Sequence, residues 1–173
     1  KAISLDKKLL RAKNLLGATY FDTGDYDRAL EIYNQTLKQA KDIGDKREIG
    51  SCLNHIGIVY WQRGELDEAL KYYTRSHEIS KELGDEEGMG IFLNNMGIIF
   101  HQKGDYERAL DYYSQSLEID ERLGNKSGSG GTLRNIGAVY EFKGDFEKAL
   151  DYYIQSLYVN DKIDNKNSMG YSL

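Results

Sequence analysis

Three histidines and one cysteine are the side chains of this 173-residue chain best suited to chemistry. A zinc-type site needs three or four such ligands converging, signalled by close helical or loop spacings. His55, His77 and His101 pair with no other His, Cys or carboxylate at such a spacing, so no metal is expected. Nucleophilic catalysis needs a Ser, Cys or Thr beside a base that a third group orients. No Ser-His-Asp set and no carboxylate pair holds a common register here. The stretch Gly128-Ser129-Gly130-Gly131 looks like a phosphate loop, yet it lacks the preceding strand and the following Gly-Lys-Ser/Thr of one. The chain is expected to have no catalytic residue, no cofactor and no enzymatic activity. Cys52 has no intrachain disulfide partner, which favours a reducing, cytoplasmic setting and a half-buried filling role.

Recognition chemistry is better represented. Asn14, Asn54 and Asn94 recur 40 residues apart. Asparagine is a mediocre helix former, so its recurrence in a helix calls for a reason. An amide donates and accepts, and a ladder of amides can hold the main chain of an extended peptide. The same ladder can instead bond between neighbouring helices and set their spacing; Asn95 and Asn135, one position on, suit that structural role.

These side chains are carried by a segment that occurs four times. Starting at Asn94 it reads NNMGIIFHQKGDYERALDYYSQSLEI, with copies from Asn14, Asn54 and Arg134. Each copy has a small residue (Gly17, Gly57, Gly97, Gly137), then an aromatic (Tyr20, Tyr60, Phe100, Tyr140), then Ala-Leu from Ala29, Ala69, Ala109 and Ala149, then Tyr33, Tyr73, Tyr113 and Tyr153. A fixed period in this range implies a solenoid, whose units bury apolar faces only against neighbours.

Glycines and acids punctuate the period. Gly24, Gly64, Gly104 and Gly144 end one helix of each unit; Gly44, Gly84 and Gly124 end the other. Asp25, Asp45, Asp85, Asp105, Asn125 and Asp145 follow as N-caps, and Asp45 with Glu48 reads as a capping box. First helices are therefore predicted near 7–23, 46–63, 86–103 and 126–143, and second helices near 26–43, 66–83, 106–123 and 146–163. Connections this short make each pair antiparallel. Gly50, Gly90, Gly130 and Gly170 are expected to open the next first helix. In Tyr72-Tyr73, Tyr112-Tyr113 and Tyr152-Tyr153 the second ring is expected in the core and the first against the following repeat.

The net charge of −5 is uneven: residues 85–124 carry 3 basic and 9 acidic side chains, whereas residues 1–44 carry 8 and 6. No basic stripe could neutralise phosphates, so nucleic acid is not an expected partner. No apolar run nears the roughly 18 residues of a membrane span, so no membrane partner is expected either.

The repeated residues resemble the tetratricopeptide repeat family, in its long form: apolar-Gly-x-x-Tyr, then Ala, then an aromatic four residues later. The unit of 40 residues without proline is similar to those of kinesin light chains, LGN-type adaptors and bacterial signalling proteins. The resemblance implies an all-α, right-handed superhelical solenoid over residues 1–173 as a single domain. Repeats would span 6–44, 45–84, 85–124 and 125–164, with the start of a fifth at 165–173. It further implies a concave groove lined by first helices. The family's spacing selects Arg11, Asn14, Ala18, Phe21 and Asp22; Ser51, Asn54, Ile58, Trp61 and Gln62; Ile91, Asn94, Ile98, His101 and Gln102; and Gly131, Arg134, Ala138, Glu141 and Phe142. Of these, Asn14, Phe21, Asn54, Ile58, Trp61, Gln62, Asn94, Ile98, His101, Gln102, Arg134 and Phe142 are the candidate peptide-binding residues. The expected function is a non-enzymatic protein-interaction module binding a peptide or helix of a partner, in trans or in cis. The alternative is a sensor or regulatory domain acting on an effector domain of a larger signalling protein. Contact with a neighbour or a second copy through the C-terminal end is also expected.

Overall fold

A computed structural model describes residues 2–170, with side chains over residues 6–160. Among these, eight α-helices and no strands follow one another: α1 (Ala2–Asp22), α2 (Tyr26–Asp42), α3 (Lys46–Gln62), α4 (Leu66–Leu83), α5 (Glu86–Gln102), α6 (Tyr106–Leu123), α7 (Lys126–Phe142) and α8 (Phe146–Gly170). The all-α arrangement of successive antiparallel helix pairs is the expected one.

Helix ends are set by local chemistry. Gly24 and its counterparts through Gly144 hold a left-handed φ of 64° to 79° that bends the chain without a Cβ clash. After six of these seven glycines the next side chain accepts from the backbone N–H three residues on: Asp25 from Arg28, Asp45 from Glu48, Asp85 from Gly88, Asp105 from Arg108, Asn125 from Gly128 and Asp145 from Lys148, at 3.1–3.3 Å. All six expected caps form. The reciprocal half of the capping box does not: the Asp45 N–H donates to the Ala40 carbonyl, and the Glu48 carboxylate turns to α1. α8 also departs from expectation by running past 163 to Gly170. The residue matching Gly44, Gly84 and Gly124 is Asp164, so the usual left-handed stop is missing. The expected fifth-repeat start at 165–173 extends beyond the described residues.

The chain gathers into two compact units, divided between Gly88 and Met89 in the first turn of α5. In the first, α1 packs on α2, α2 on α3, and α3 on α4. In the second, α6 packs on α7 and α7 on α8, while Gly97 of α5 lies against Tyr113 of α6.

Both units use one packing device. A Cβ added to Gly17 or Gly57 would stand 2.5 or 2.6 Å from the Tyr33 or Tyr73 ring, and one on Gly97 would clash likewise with Tyr113. Glycine there lets the tyrosine lie flat on the first-helix backbone, which offsets the roughly 1 kcal/mol helix penalty of glycine. Ala29, Ala69, Ala109 and Ala149 are buried on the opposing helix. The first tyrosine of each pair stacks within its own repeat: Tyr72 on Tyr60 (5.3 Å), Tyr112 on Phe100 (5.3 Å) and Tyr152 on Tyr140 (5.5 Å). This corrects the expectation that these rings turn to the following repeat. Gly50, Gly90 and Gly130 also play a different part. They sit inside the second turn, and their carbonyls accept from Ser76, Ser116 and Ser156 of the paired helix at 2.7–2.9 Å.

Candidate functional site

The predicted binding residues all lie on first helices, so the site is built separately in each unit. In the first unit, α1 and α3 carry it. Asn14 is buried, and both ends of its amide are engaged. Its Nδ2 donates to Glu48 Oε1, and its Oδ1 accepts from the Cys52 thiol at 3.5 Å. Asn14 thus bolts α1 to α3, the structural alternative for the asparagine ladder, and presents no amide to a ligand. Burial raises the pKa of the Glu48 carboxyl, and the neighbouring Asp45 adds to the effect. Burial likewise pushes the Cys52 thiol up to about 11, so it is protonated and unreactive at neutral pH.

Further along the same two helices the surface changes character. Phe21 is half-buried against Tyr26, with ring centroids 5.6 Å apart. Ile58 and Trp61 are half-buried on α3, and Gln62 is exposed. The Trp61 Nε1 is shielded from water and has no hydrogen-bond partner. Asn54 is half-buried and already engaged. His55, one position on, turns inward and stacks on Tyr33 at 5.0 Å. Burial lowers its pKa, and its Nδ1 has no partner.

In the second unit, α5 and α7 carry the site. Asn94 repeats the bolt with neutral partners: its Oδ1 accepts from Asn135 Nδ2 at 3.0 Å and from Thr132 Oγ1 at 3.5 Å. Asn135 therefore fills the inter-helix role expected of it. Ile98 packs on the core cluster of Ala109, Tyr113, Ile136 and Val139. Gln102 and Arg134 are exposed. His101 and Phe142 come together edge to face at 5.0 Å, and Tyr106 closes the cluster at 5.8 Å from His101. Phe142 is 69 % exposed. Burial lowers the His101 pKa, leaving the imidazole neutral at pH 7 and suited to aromatic contact.

The structure thus brings His101 and Phe142 together beside Tyr106 in the second unit, and in the first it places Phe21 against Tyr26 of the paired helix. It turns Asn14 and Asn94 into inter-helix bonds. Sequence reading missed the Asn14–Glu48–Cys52 chain; its signal was Glu48 standing where the other repeats have Gly88 and Gly128. Two cavities of about 280 Å³ each lie elsewhere, one against Asp120, Ser129 and Tyr158, the other against Leu10, Gln39 and Asp42, and include none of the predicted residues. Among the described residues no cluster of three or more His, Cys, Asp or Glu could hold a metal, and no helix is long and apolar enough to cross a membrane.

Comparison with known proteins gives a consistent picture. The family profile described as tetratricopeptide repeat matches residues 8–82 and 88–161. Solved structures of similar fold include BtubC (BKLC) from P. vanneervenii, with a TM-score of 0.74 and 24 % identity over 92 % of this chain and 66 % of that one. Aspartyl phosphate phosphatase F from Bacillus subtilis has a TM-score of 0.81 and 13 % identity over 91 % of this chain and 41 % of its own. The apo form of RapI has a TM-score of 0.77 and 22 % identity over 92 % and 58 %. The chain therefore spans less than two-thirds of each. No curated protein matches.

Proposed function

We propose that this chain, which belongs to the tetratricopeptide repeat family, is a non-enzymatic protein-interaction module whose open first-helix faces take up a peptide or helical segment of a protein partner. The carrying observation is Phe142. It stands 69 % exposed at a position where the other repeats have Asp22, Gln62 and Gln102, and it is held in place by His101 and Tyr106. A water-exposed aromatic held by a histidine and a tyrosine has the composition of a binding hot spot. Phe142, Ile98 and neutral His101 would receive an apolar anchor; Gln102 and Arg134 would meet the backbone or an acidic residue of the ligand. On the first unit Trp61 and Phe21 offer a comparable apolar anchor point, flanked by Gln62. Within the repeats the packing positions stay fixed while these positions vary, which supports a recognition role over an architectural one.

A second reading has one observation in its favour. The chain spans only part of the similarly folded aspartyl phosphate phosphatase F. The same faces would then hold a segment of an effector domain in the same polypeptide.

A random-sequence peptide library displayed on phage, selected on the immobilised chain, tests the proposal. Enriched peptides should share an aromatic or branched apolar anchor. Phe142→Asp, which installs the first repeat's residue, should weaken them at least about tenfold, as expected when a hot-spot aromatic is lost. Retained affinity in a folded Phe142→Asp variant, or no enrichment at all, would sink the proposal. Trp61 is the only tryptophan, so its fluorescence reports occupancy of the first unit's face directly.

A further inference from the structure

Three of the four repeats close one corner in the same way. A cation from the first turn of the second helix covers the aromatic of the first helix: Arg28 over Tyr20 at 5.6 Å, Arg108 over Phe100 at 4.2 Å and Lys148 over Tyr140 at 5.2 Å from the ring centroid. The same cation pairs with the acid that opens its helix: Arg28 with Asp25 at 3.3 Å, Arg108 with Asp105 at 2.5 Å and Lys148 with Asp145 at 2.7 Å. Ring, cation and carboxylate form a closed set, with eight residues from ring to cation every time. The negative face of the ring and the carboxylate hold the charge between them.

The second repeat breaks the set. Its ring, Tyr60, is in place, half-buried and stacked on Tyr72. Eight residues on, however, stands Glu68, and the helix opens with Glu65. The charge at the covering position is reversed. Glu65 is exposed, and its side chain makes no capping hydrogen bond. The neighbouring cations are committed: Lys71 pairs with Glu68 at 3.2 Å, and Arg63 pairs with Asp27 of α2. Among the described residues no cation covers Tyr60. Burial raises the pKa of the Tyr60 hydroxyl, and Tyr72, Glu65 and Glu68 add to the effect against Arg63, so both carboxylates act at this ring. The corner joins α3 to α4 inside the first unit, so the chain's ends have no part in leaving it open.

We infer that the corner at Tyr60 is a docking point for an arginine side chain of a protein partner, which supplies from outside the cation that Arg28, Arg108 and Lys148 supply from within. The guanidinium lies on the Tyr60 ring and pairs with Glu65 and Glu68, which restores the set found in the other three repeats. Arginine suits the place better than lysine. Its planar head stacks on a ring while its fork of donors serves a carboxylate. The contact recognises charge, and it is independent of the apolar anchoring at Phe142 in the second unit.

Two phage libraries with random flanks, one with a fixed central arginine and one with a fixed central glutamine, selected in parallel on the immobilised chain, test the assignment. The arginine library should be enriched at least about tenfold over the other, one decade in affinity. Glu68→Arg installs the residue of the first and third repeats and fills the corner from within, so the enriched peptides should bind it at least about tenfold more weakly. Glu78→Arg makes the same change of charge at an exposed position about 15 Å further along α4. At physiological salt that distance exceeds the screening length, so binding should stay within about twofold. Phe142→Asp should leave these peptides bound, which separates the outcome from that of the test on the second unit. Equal enrichment of the two libraries overturns the inference. So does full binding to Glu68→Arg, or an equal loss with Glu78→Arg, because the preference would then be for net charge alone.

Discussion

The two units solve the same problem with different chemistry. Each must fix one first helix against the next, and each uses an asparagine at the same repeat position. In the first unit Asn14 bridges a buried carboxylate and a thiol. In the second Asn94 meets an amide and a hydroxyl. The apolar devices are the same in both: Gly57 under Tyr73, Gly97 under Tyr113. Packing geometry is thus common to the units, whereas the polar bolt varies and carries charge in one unit only. A hydrogen bond to a charged group contributes about 1.5–3 kcal/mol against about 1 for a neutral one, so the first unit is the more dependent on its asparagine.

The sharpest tests of this contrast begin with the shared device. Gly57→Ala and Gly97→Ala should each cost about 2–3 kcal/mol in urea unfolding, because the new methyl must displace a buried tyrosine. Unequal losses would break the claim that the units pack alike. Next come the bolts. Asn14→Ala should cost about 2 kcal/mol, by stranding Glu48, and Asn94→Ala about 1. The reverse order would remove the distinction between charged and neutral bolts.

Acid sensitivity should be smaller, and in the first unit it should run through His55, as it does through His101 in the second. Burial holds the His55 pKa below 6.5, so the unfolded chain binds the proton first. Its contribution to stability is full above pH 6.5 and declines as pH falls toward the folded value. His55→Phe, which keeps a ring on Tyr33, should flatten the decline of Tm between pH 7 and 5. Glu48 works with the opposite sign: its folded pKa is raised, so its burial penalty is relieved as pH falls through that value toward 4.5. Glu48→Gln should therefore raise Tm slightly at pH 7 and leave it unchanged at pH 4. The smallest effect concerns Cys52. With its thiol pushed up to about 11, iodoacetamide at pH 8 should label it only after unfolding; Asn14→Ala, which removes the amide above it, should speed the labelling.

Most of the architecture was legible in the sequence because it rests on local signals. Gly24, Asp25 and their counterparts act within five residues of themselves, so seven helix starts follow from reading them. Gly57 with Tyr73 was legible because the pair recurs at fixed spacing. What escaped depends on contacts far apart in the chain. Glu48 satisfies the capping-box pattern, yet Asn14, 34 positions away, supplies a donor that the pattern cannot register. Tyr72 reads the same whether it turns to the next repeat or back to Tyr60. In the candidate site, the choice of asparagines as ligand-facing groups failed for Asn14 for the same reason. Phe142 was nominated by register alone, whereas its edge-on contact with His101 required coordinates.

The connectors have a practical consequence. At Gly24–Asp25, Gly64–Glu65, Gly104–Asp105 and Gly144–Asp145 the glycine N–H donates three residues back and the next N–H five residues back, at 2.9–3.0 Å in every case. Corners this alike are interchangeable joints. Recombination at any two of them would add or delete a whole number of periods while each splice kept its own bonding, so the array can change length by cassette without redesign of its corners.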